Sequence, residues 1–260
     1  MKLISLNVWG GHEFDALLSF LATHTKSTDI FCFQEVYISS QDIISRGTQL
    51  NILKKLRSIL PHHRLFFIPI QDNIDENGAI SIPSTFGQAM FIHKSLSVEK
   101  EGFVFTHRDH NAMEGDDFGT LGSGFQYLQL KKTGYPLIIL NIHGNSRPGD
   151  KLDTADRLTQ VQKIKDFLKN SSGQKIVCGD FNLMPETQSI KILEENMKNL
   201  IKEFAILDTR GKLNARKYPN DPLPQQFGDY IFVSPDINVI SFKVPNALVS
   251  DHLPLILEYA

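Results

Sequence analysis

Asp180 and Asn182 lie two residues apart, just past an apolar run at Lys175-Ile176-Val177 that reads as a buried strand, with Pro185 barring its continuation. In an extended chain residues i and i+2 point the same way, so the carboxylate and the carboxamide would face one cleft while Phe181 points opposite. Such a pair can orient a water molecule against an electrophile. Gly179 lets the backbone turn and lets another group approach closely. Gly-Asp before a turn is also the ordinary signature of an Asx turn, in which the carboxylate merely accepts a local N–H. What else in the chain ends beside it decides between the two.

Several other apolar runs end in a polar residue. Leu3 to Trp9 carries Asn7, and Asp29 to Glu35 ends in Gln34-Glu35. Leu137 to His143 runs into Gly144-Asn145, Asp229 opens Tyr230-Ile231-Phe232-Val233, and Asp251-His252 precedes Leu253-Pro254-Leu255. Taken singly, each resembles a strand end exposed to solvent. Occurring together in one chain, they point to a shared cleft.

The elements that must position these residues follow from periodicity. Glu13 to Thr23 places Phe14, Leu17, Leu18 and Leu21 at helical spacing, and Thr48 to Leu60 does so with Leu50, Leu53, Leu56 and Leu60 before Pro61. Asp153 to Leu168 predicts a helix with Leu158, Val161, Ile164 and Leu168 buried and with Asp153 or Thr154 as its cap. Thr187 to Leu200 predicts another helix. Strands are expected at Arg64 to Ile70, Phe86 to Ile92, Val98 to Thr106, Phe125 to Lys131, Ile237 to Val244 and Leu255 to Glu258. Polar stretches at Asp72 to Thr85, His107 to Gly124 and Lys212 to Gln226 read as loops, the last with Pro219, Pro222 and Pro224. No repeat, low-complexity tract or linker divides the chain, so a single domain over 1–260 is expected, with strands and helices layered as an α/β protein.

Composition limits the function classes. The 260 residues are 41% hydrophobic and 22% charged, ordinary for a globular chain. The net charge of −2 lacks the basic excess of a bulk nucleic-acid binder. Lys131-Lys132 and Lys212, Arg216 and Lys217 form only small basic patches. The two cysteines, Cys32 and Cys178, sit in apolar runs and read as buried small hydrophobes rather than a disulfide framework. No apolar run reaches membrane-spanning length, and the N-terminus enters a strand pattern without a secretory h-region, so a cytoplasmic location and no obligate protein partner are the expectation.

The motifs Leu6-Asn7, Gln34-Glu35-Val36, Asn141-Ile142-His143, Gly179-Asp180-Phe181-Asn182, Asp229-Tyr230-Ile231-Phe232 and Ser250-Asp251-His252 resemble, in order, those of the endonuclease/exonuclease/phosphatase superfamily. The resemblance spans residues 6 to 252. It implies a four-layered α/β sandwich, with two packed mixed β-sheets flanked by helices. It also implies hydrolysis of a phosphate ester by in-line attack of water, supported by Mg2+ with Mn2+ as a substitute. Glu35 and Asp251 would be metal ligands, and Asn7 would hold the metal shell or a carboxylate. Asp180 would orient or deprotonate the water, Asn182 would place water and phosphate, and His252 would contact a phosphoryl oxygen with Asp229 fixing its tautomer. His143 would donate to phosphate or act as a leaving-group acid, a position where members specialised for abasic DNA tend to carry Tyr. Gln88, Asn145 and Arg157 are candidates for substrate binding, alongside anchoring roles.

Two departures from the family pattern stand out. Trp9 occupies the place where apurinic endonucleases tend to have an acid, and Phe227-Gly228 precedes Asp229 where Arg-Ile is more usual. The expected partner is a phosphorylated substrate: nucleic acid in a nuclease or repair phosphodiesterase, or else a lipid, an inositol phosphate or a small metabolite. A non-catalytic module on the same fold would go with loss of site acids, yet Glu35, Asp180, Asp229 and Asp251 are all present.

Overall fold

Short apolar runs, buried on both faces in the central strands, build two six-stranded sheets. The computed structural model describes residues 1–131, 134–217 and 225–260. Lys132, Pro219, Pro222 and Pro224 lie outside the described residues, as do the side chains of Arg216 and Lys217.

The first sheet contains β1 (Lys2–Asn7), β2 (Ile30–Ile38), β3 (His63–Asp72) and β4 (Thr85–His93), and gains two late strands. The second contains β5 (Val98–His107), β6 (Ser123–Leu130), β7 (Leu137–His143), β8 (Gln174–Asp180), β9 (Lys198–Asn199) and β10 (Asp229–Val233). The late strands of the first sheet are β11 (Val239–Lys243) and β12 (Leu255–Tyr259). Their orders are β11-β12-β1-β2-β4-β3 and β9-β10-β8-β7-β6-β5.

Each sheet has one parallel pair at its centre, β1 with β2 and β7 with β8, and antiparallel neighbours outside it. Each parallel pair is joined through a helix: α1 (Phe14–His24) in the first sheet and α3 (Ala155–Lys169) in the second. The two sheets therefore share one plan. Read outward from β1 and from β7, the strands repeat the same sequence of parallel and antiparallel neighbours.

Helix α1 buries Leu17 and Leu21, and α2 (Ile52–Ile59) buries Ile52, Leu53 and Leu56, against Ile4, Leu6, Phe31 and Phe33 on the outer face of the first sheet. Val161, Ile164 and Leu168 of α3 join the cluster that contains Leu3, Ile30, Ile139 and Ile176. Helix α4 (Gln188–Glu194) adds Ile190 and Leu193 to it. The result is the expected sandwich of helices, sheet, sheet and helices.

Several boundaries differ from the sequence reading: β2 runs on to Ile38, past the expected end at Glu35, and Ile74–Asp75 pairs with Gly78–Ala79 inside the stretch read as a loop from Asp72 to Thr85. Residues Thr48–Gln49 pair with Ile44–Ser45 in a small ladder, so α2 begins only at Ile52. The segment read as one helix from Thr187 splits into α4, strand β9 and the short α5 (Leu200–Glu203), because Lys198 and Asn199 pair with Val233 and Phe232. The loop beginning at Lys212 opens instead with α6 (Lys212–Lys217). Thr154 caps α3 by accepting from Arg157 N, whereas Asp153 turns to α4 and accepts from Gln188 N and Ser189 N. No helix of the described residues is long and apolar enough to cross a membrane.

Candidate active site

The space between the sheets changes character along the strands. Inward positions two apart run Leu3, Ser5, Asn7 on β1; Ile30, Cys32, Gln34 on β2; Ile139, Asn141, His143 on β7; and Ile176, Cys178, Asp180 on β8. Apolar residues fill one end, and amides and ionisable groups fill the C-terminal end of the parallel strands. Amides tie the sheets together at the transition. Gln34 Nε2 donates to Asn141 Oδ1 at 2.5 Å, and Asn141 Nδ2 donates to Phe33 O at 3.1 Å. Gln126 Nε2 reaches Phe66 O at 2.9 Å, and Gln88 Nε2 reaches Gly124 O at 3.1 Å.

Register brings the chemistry together. Asn7 pairs with Gln34, His143 with Asp180, and Asp180 with Asp229. Glu35 would point away from its neighbour Gln34 in a regular strand. A register shift between Phe33 and Val36 against β4, with Glu35 at φ 56°, forms a bulge that re-aims it. Gly179, at φ 131°, is needed for close approach: a Cβ there would meet Ile142 O at 2.1 Å. Asn182 also sits at positive φ, 55°, so it enters the cleft by a bend after β8 rather than by continued alternation.

Asp180 is buried and its two oxygens have separate duties. Oδ1 accepts from Asn182 N at 2.9 Å, which is the Asx turn that the sequence allowed. Oδ2 is the focus of the site: Asn7 Nδ2 lies at 3.3 Å, Arg210 Nη2 at 3.6 Å, His252 Nε2 at 3.7 Å and His143 Nε2 at 4.0 Å. The structural and the chemical readings of Gly179-Asp180 are both met, by different oxygens of one carboxylate. Burial raises the carboxyl pKa, but Arg210, His252, His143 and Lys151 together outweigh it and hold the group well below the ordinary carboxylate range. Asp180 is thus an anion at neutral pH.

His252 Nδ1 faces Asp229, at 2.9 Å from Oδ1 and 2.8 Å from Oδ2. Thr209 Oγ1 accepts from both Gly228 N and Asp229 N at 3.2 Å and steadies the start of β10. Burial and the nearby Arg210 disfavour the imidazolium, yet Asp229, Asp180 and Asp251 prevail and raise the His252 pKa. With Nδ1 held by Asp229, Nε2 is the nitrogen turned toward Asp180.

Asn7 donates the same Nδ2 to Glu35 Oε1 at 2.9 Å, and its Oδ1 accepts from Trp9 N at 3.0 Å. Glu35 is the more open acid, with its side chain 24% exposed, and its Oε1 stands 3.6 Å from His143 Nε2. Glu35, His143 and Asp180 each offer a ligand atom within 4.8 Å of the others, as do Asp180, Asp229 and His252. The first group, with two carboxylates and a partly open Glu35, fits a divalent cation that keeps some of its waters. Asp251, expected as the companion of Glu35, is in neither group among the described residues, and its Oδ1 lies 3.8 Å from His252 Nε2.

The candidates for substrate contact are placed differently from one another. Arg157 is fully buried and donates to Asn145 O, Leu152 O and Pro148 O at 3.3, 2.5 and 2.6 Å. It anchors the loop after β7 and does not face the cleft. Asn145 belongs to that loop, with its N donating to Gln160 Oε1 at 3.0 Å and its Oδ1 accepting from Arg147 N. Gln88 is among the amides between the sheets. Trp9 stacks on His12 with ring centroids 4.3 Å apart and donates Nε1 to Glu76, so the loop after β3 supplies an acid beside the residue that replaced one.

Two residues enter the site with weak or no warning from the sequence. Lys151 Nζ donates to Asn182 Oδ1 at 2.5 Å and to Ser146 O at 2.9 Å. Burial, with Arg210 nearby, lowers its pKa to about 7. Arg210, in an unremarked Leu207-Asp208-Thr209-Arg210-Gly211 stretch, is the larger omission. Its nearest sequence clue was negative, the small Gly228 where a bulkier residue is usual.

Residues 4–252 match the Endonuclease/Exonuclease/phosphatase family. The chain belongs to that family, whose members are hydrolases of phosphoester bonds. By sequence, no curated protein matches it. By structure it is similar to an endonuclease/exonuclease/phosphatase family protein from Leptotrichia buccalis, at 18% identity and TM-score 0.72, covering 100% of this chain and 99% of that one. It is also similar to a mannosyl-6-phosphatase from Bacteroides thetaiotaomicron, at 17% identity and TM-score 0.67, covering 100% and 99%. The catalytic domain of human nocturnin matches at 18% identity and TM-score 0.64, covering 100% and 93%. At these identities the likeness is one of fold.

Proposed function

We propose that this chain is a divalent-metal-dependent phosphodiesterase or nuclease in which Asp180 directs a water in line at phosphorus. The observation that carries this reading is the convergence of Asn7, His143, Arg210 and His252 on Asp180 Oδ2. A carboxylate held anionic among donors is suited to orienting a water rather than to taking its proton outright, and the same donors lie where a phosphoryl group beside that water would present its oxygens.

Glu35, with Asn7 bracing it and Asp180 close by, would hold Mg2+ or Mn2+. When bound, the cation polarises phosphoryl oxygens and steadies a leaving oxyanion. His252 donates from Nε2 to a non-bridging oxygen, and Asp229 keeps the opposite nitrogen protonated. Asn182, fixed through Nδ2 to Gly144 O at 3.1 Å, helps place the water. His143 stands at the open side with Glu35 and supplies a proton to the departing oxygen.

A second reading, a phosphatase acting on a small phosphorylated metabolite, draws support from two buried basic groups on the Asn182 side, Arg210 and Lys151, since a monoester dianion carries more charge than a diester and would favour the protonated form of Lys151, whose pKa burial lowers to about 7. The net charge of −2 also gives little grip for a long polyanion. The test is a panel with Mg2+ or Mn2+: bis-p-nitrophenyl phosphate, p-nitrophenyl phosphate, plasmid DNA, RNA, sphingomyelin and inositol phosphates. Hydrolysis that needs the metal and disappears in Asp180→Asn supports the reading, and undiminished turnover in that variant rejects it.

A further inference from the structure

Three arginines of this chain are held in three different ways. Arg46 pairs with buried Asp75, donating Nε to Oδ2 at 2.7 Å and Nη2 to Oδ1 at 2.5 Å. Arg157 gives its donors to three loop carbonyls. Arg210, only 7% exposed, is held more loosely than either, by a long ion pair to Asp180 and a long hydrogen bond to Asn182. Its Nε is buried without a hydrogen-bond partner. Its Nη2 reaches Asn182 Oδ1 only at 3.4 Å, and Asp180 Oδ2 stands at 3.6 Å. Burying a guanidinium is costly unless its donors are met, so this arrangement is incomplete as it stands.

The placement of Arg210 is nonetheless fixed. Its backbone forms an isolated antiparallel bridge with His252, with Leu253 N donating to Thr209 O at 2.9 Å and Gly211 N to Asp251 O at 3.2 Å. Its N donates to Asp208 Oδ1 at 2.6 Å. Gly228 is its seat: a Cβ at that position would meet Nη2 at 2.7 Å and Nε at 2.8 Å. The fold thus clears a space beside Asp229, fills it with a guanidinium from another loop, and ties that loop to the His252 backbone. Arg210 Nη2 and His252 Nε2 flank one oxygen of Asp180, at 3.6 and 3.7 Å.

Resting on the phosphoesterase reading, we infer that Arg210 binds the non-bridging phosphoryl oxygens of the substrate, and that Gly228 exists in this chain to seat it. A guanidinium presents two parallel donors to a tetrahedral oxyanion, which an ammonium does not. The phosphoryl group lies between Arg210 and His252, with Asp180 behind the attacking water. Arg210 thereby supplies a cation beside Asp229, where Phe227 stands in place of the usual arginine.

The test titrates orthophosphate into the Mg2+-loaded chain by calorimetry and by phosphorus NMR, for wild type, Arg210→Gln, Arg210→Lys and Gly228→Ala. Orthophosphate affinity should fall about tenfold or more in Arg210→Gln and remain impaired in Arg210→Lys. Gly228→Ala imposes no positive-φ strain and should reproduce the loss by displacing the guanidinium alone. In a fifth protein, Arg210→Ala, which leaves room for the ion, added guanidinium should restore orthophosphate binding. Unchanged phosphate affinity in Arg210→Gln and Gly228→Ala, with only a lowered melting temperature, would overturn the assignment and leave Arg210 a counter-ion of Asp180. A wild type that binds orthophosphate through Arg210 but cleaves no ester in the panel would reject the enzymatic reading and keep this one.

Discussion

His252 Nδ1 and Asp229 Oδ2 stand 2.8 Å apart and are both buried, so the imidazole is held by a close carboxylate inside the site. The pair decides which imidazole nitrogen faces the cleft. Asp229→Asn keeps the shape and removes the charge. We expect kcat to fall about a hundredfold, with a smaller change in KM. The His252 pKa is raised above 6.5 in the native chain, chiefly by Asp229 once burial and Arg210 are overcome. Its stabilising contribution is therefore complete below the unfolded value and is lost as pH rises through the folded one. In Asp229→Asn the NMR-titrated imidazole pKa should fall and that part of the pH dependence should vanish. An unmoved His252 titration would contradict the pairing.

Asn7 bridges Glu35 and Asp180 with a single Nδ2, at 2.9 and 3.3 Å. Two carboxylates brought that close repel each other unless a donor or a cation lies between them. Removing the amide in Asn7→Ala should weaken Mg2+ binding about tenfold to a hundredfold, the usual cost of losing a group that orients a ligand. Calorimetric titration of Mg2+ reads this directly. Equal affinity in the variant would show that Asn7 does not orient the acids.

Arg157 holds the loop of residues 144–152 from within, through carbonyls of Asn145, Pro148 and Leu152. Arg157→Met fills much of the volume but strands those carbonyls and should cost about 3 kcal/mol. Denaturant melts measure the loss, and hydrogen exchange should show it concentrated in that loop. Loss spread evenly over both sheets would point to a general packing defect instead.

The fold was largely readable because the central strands are continuous apolar runs and the helices carry apolar stripes. Boundaries failed where a tertiary pairing overrode local pattern, as when Lys198 and Asn199 left a helical run to pair with β10. The site residues were readable as polar breaks in or beside apolar runs, and Asn7, Glu35, His143, Asp180, Asp229 and His252 all converge. Glu35 does so through a bulge that no periodicity announces. Arg210 was invisible because nothing local distinguishes it. Its position comes from a backbone bridge to His252, 42 residues on, and from space left by Gly228. For Arg157 the sequence left substrate binding and loop anchoring both open, and its full burial with donors on three loop carbonyls meets the anchoring role.

Lys151 carries a prediction with a defined window. Its pKa is lowered from 10.5 to about 7 by burial and by Arg210. Between those values the unfolded chain binds more protons than the folded one, so stability rises with pH from about 7 to 10.5, and the benefit is lost as pH falls back to 7. The span is worth on the order of a few kcal/mol. Urea melts from pH 6 to 10, with the metal chelated, should show that rise in the wild type. Lys151→Gln retains a donor toward Asn182 Oδ1, carries no titrating charge and should lack the rise. Parallel curves for the two proteins would mean that Lys151 titrates normally and that the cleft is wetter than its burial implies.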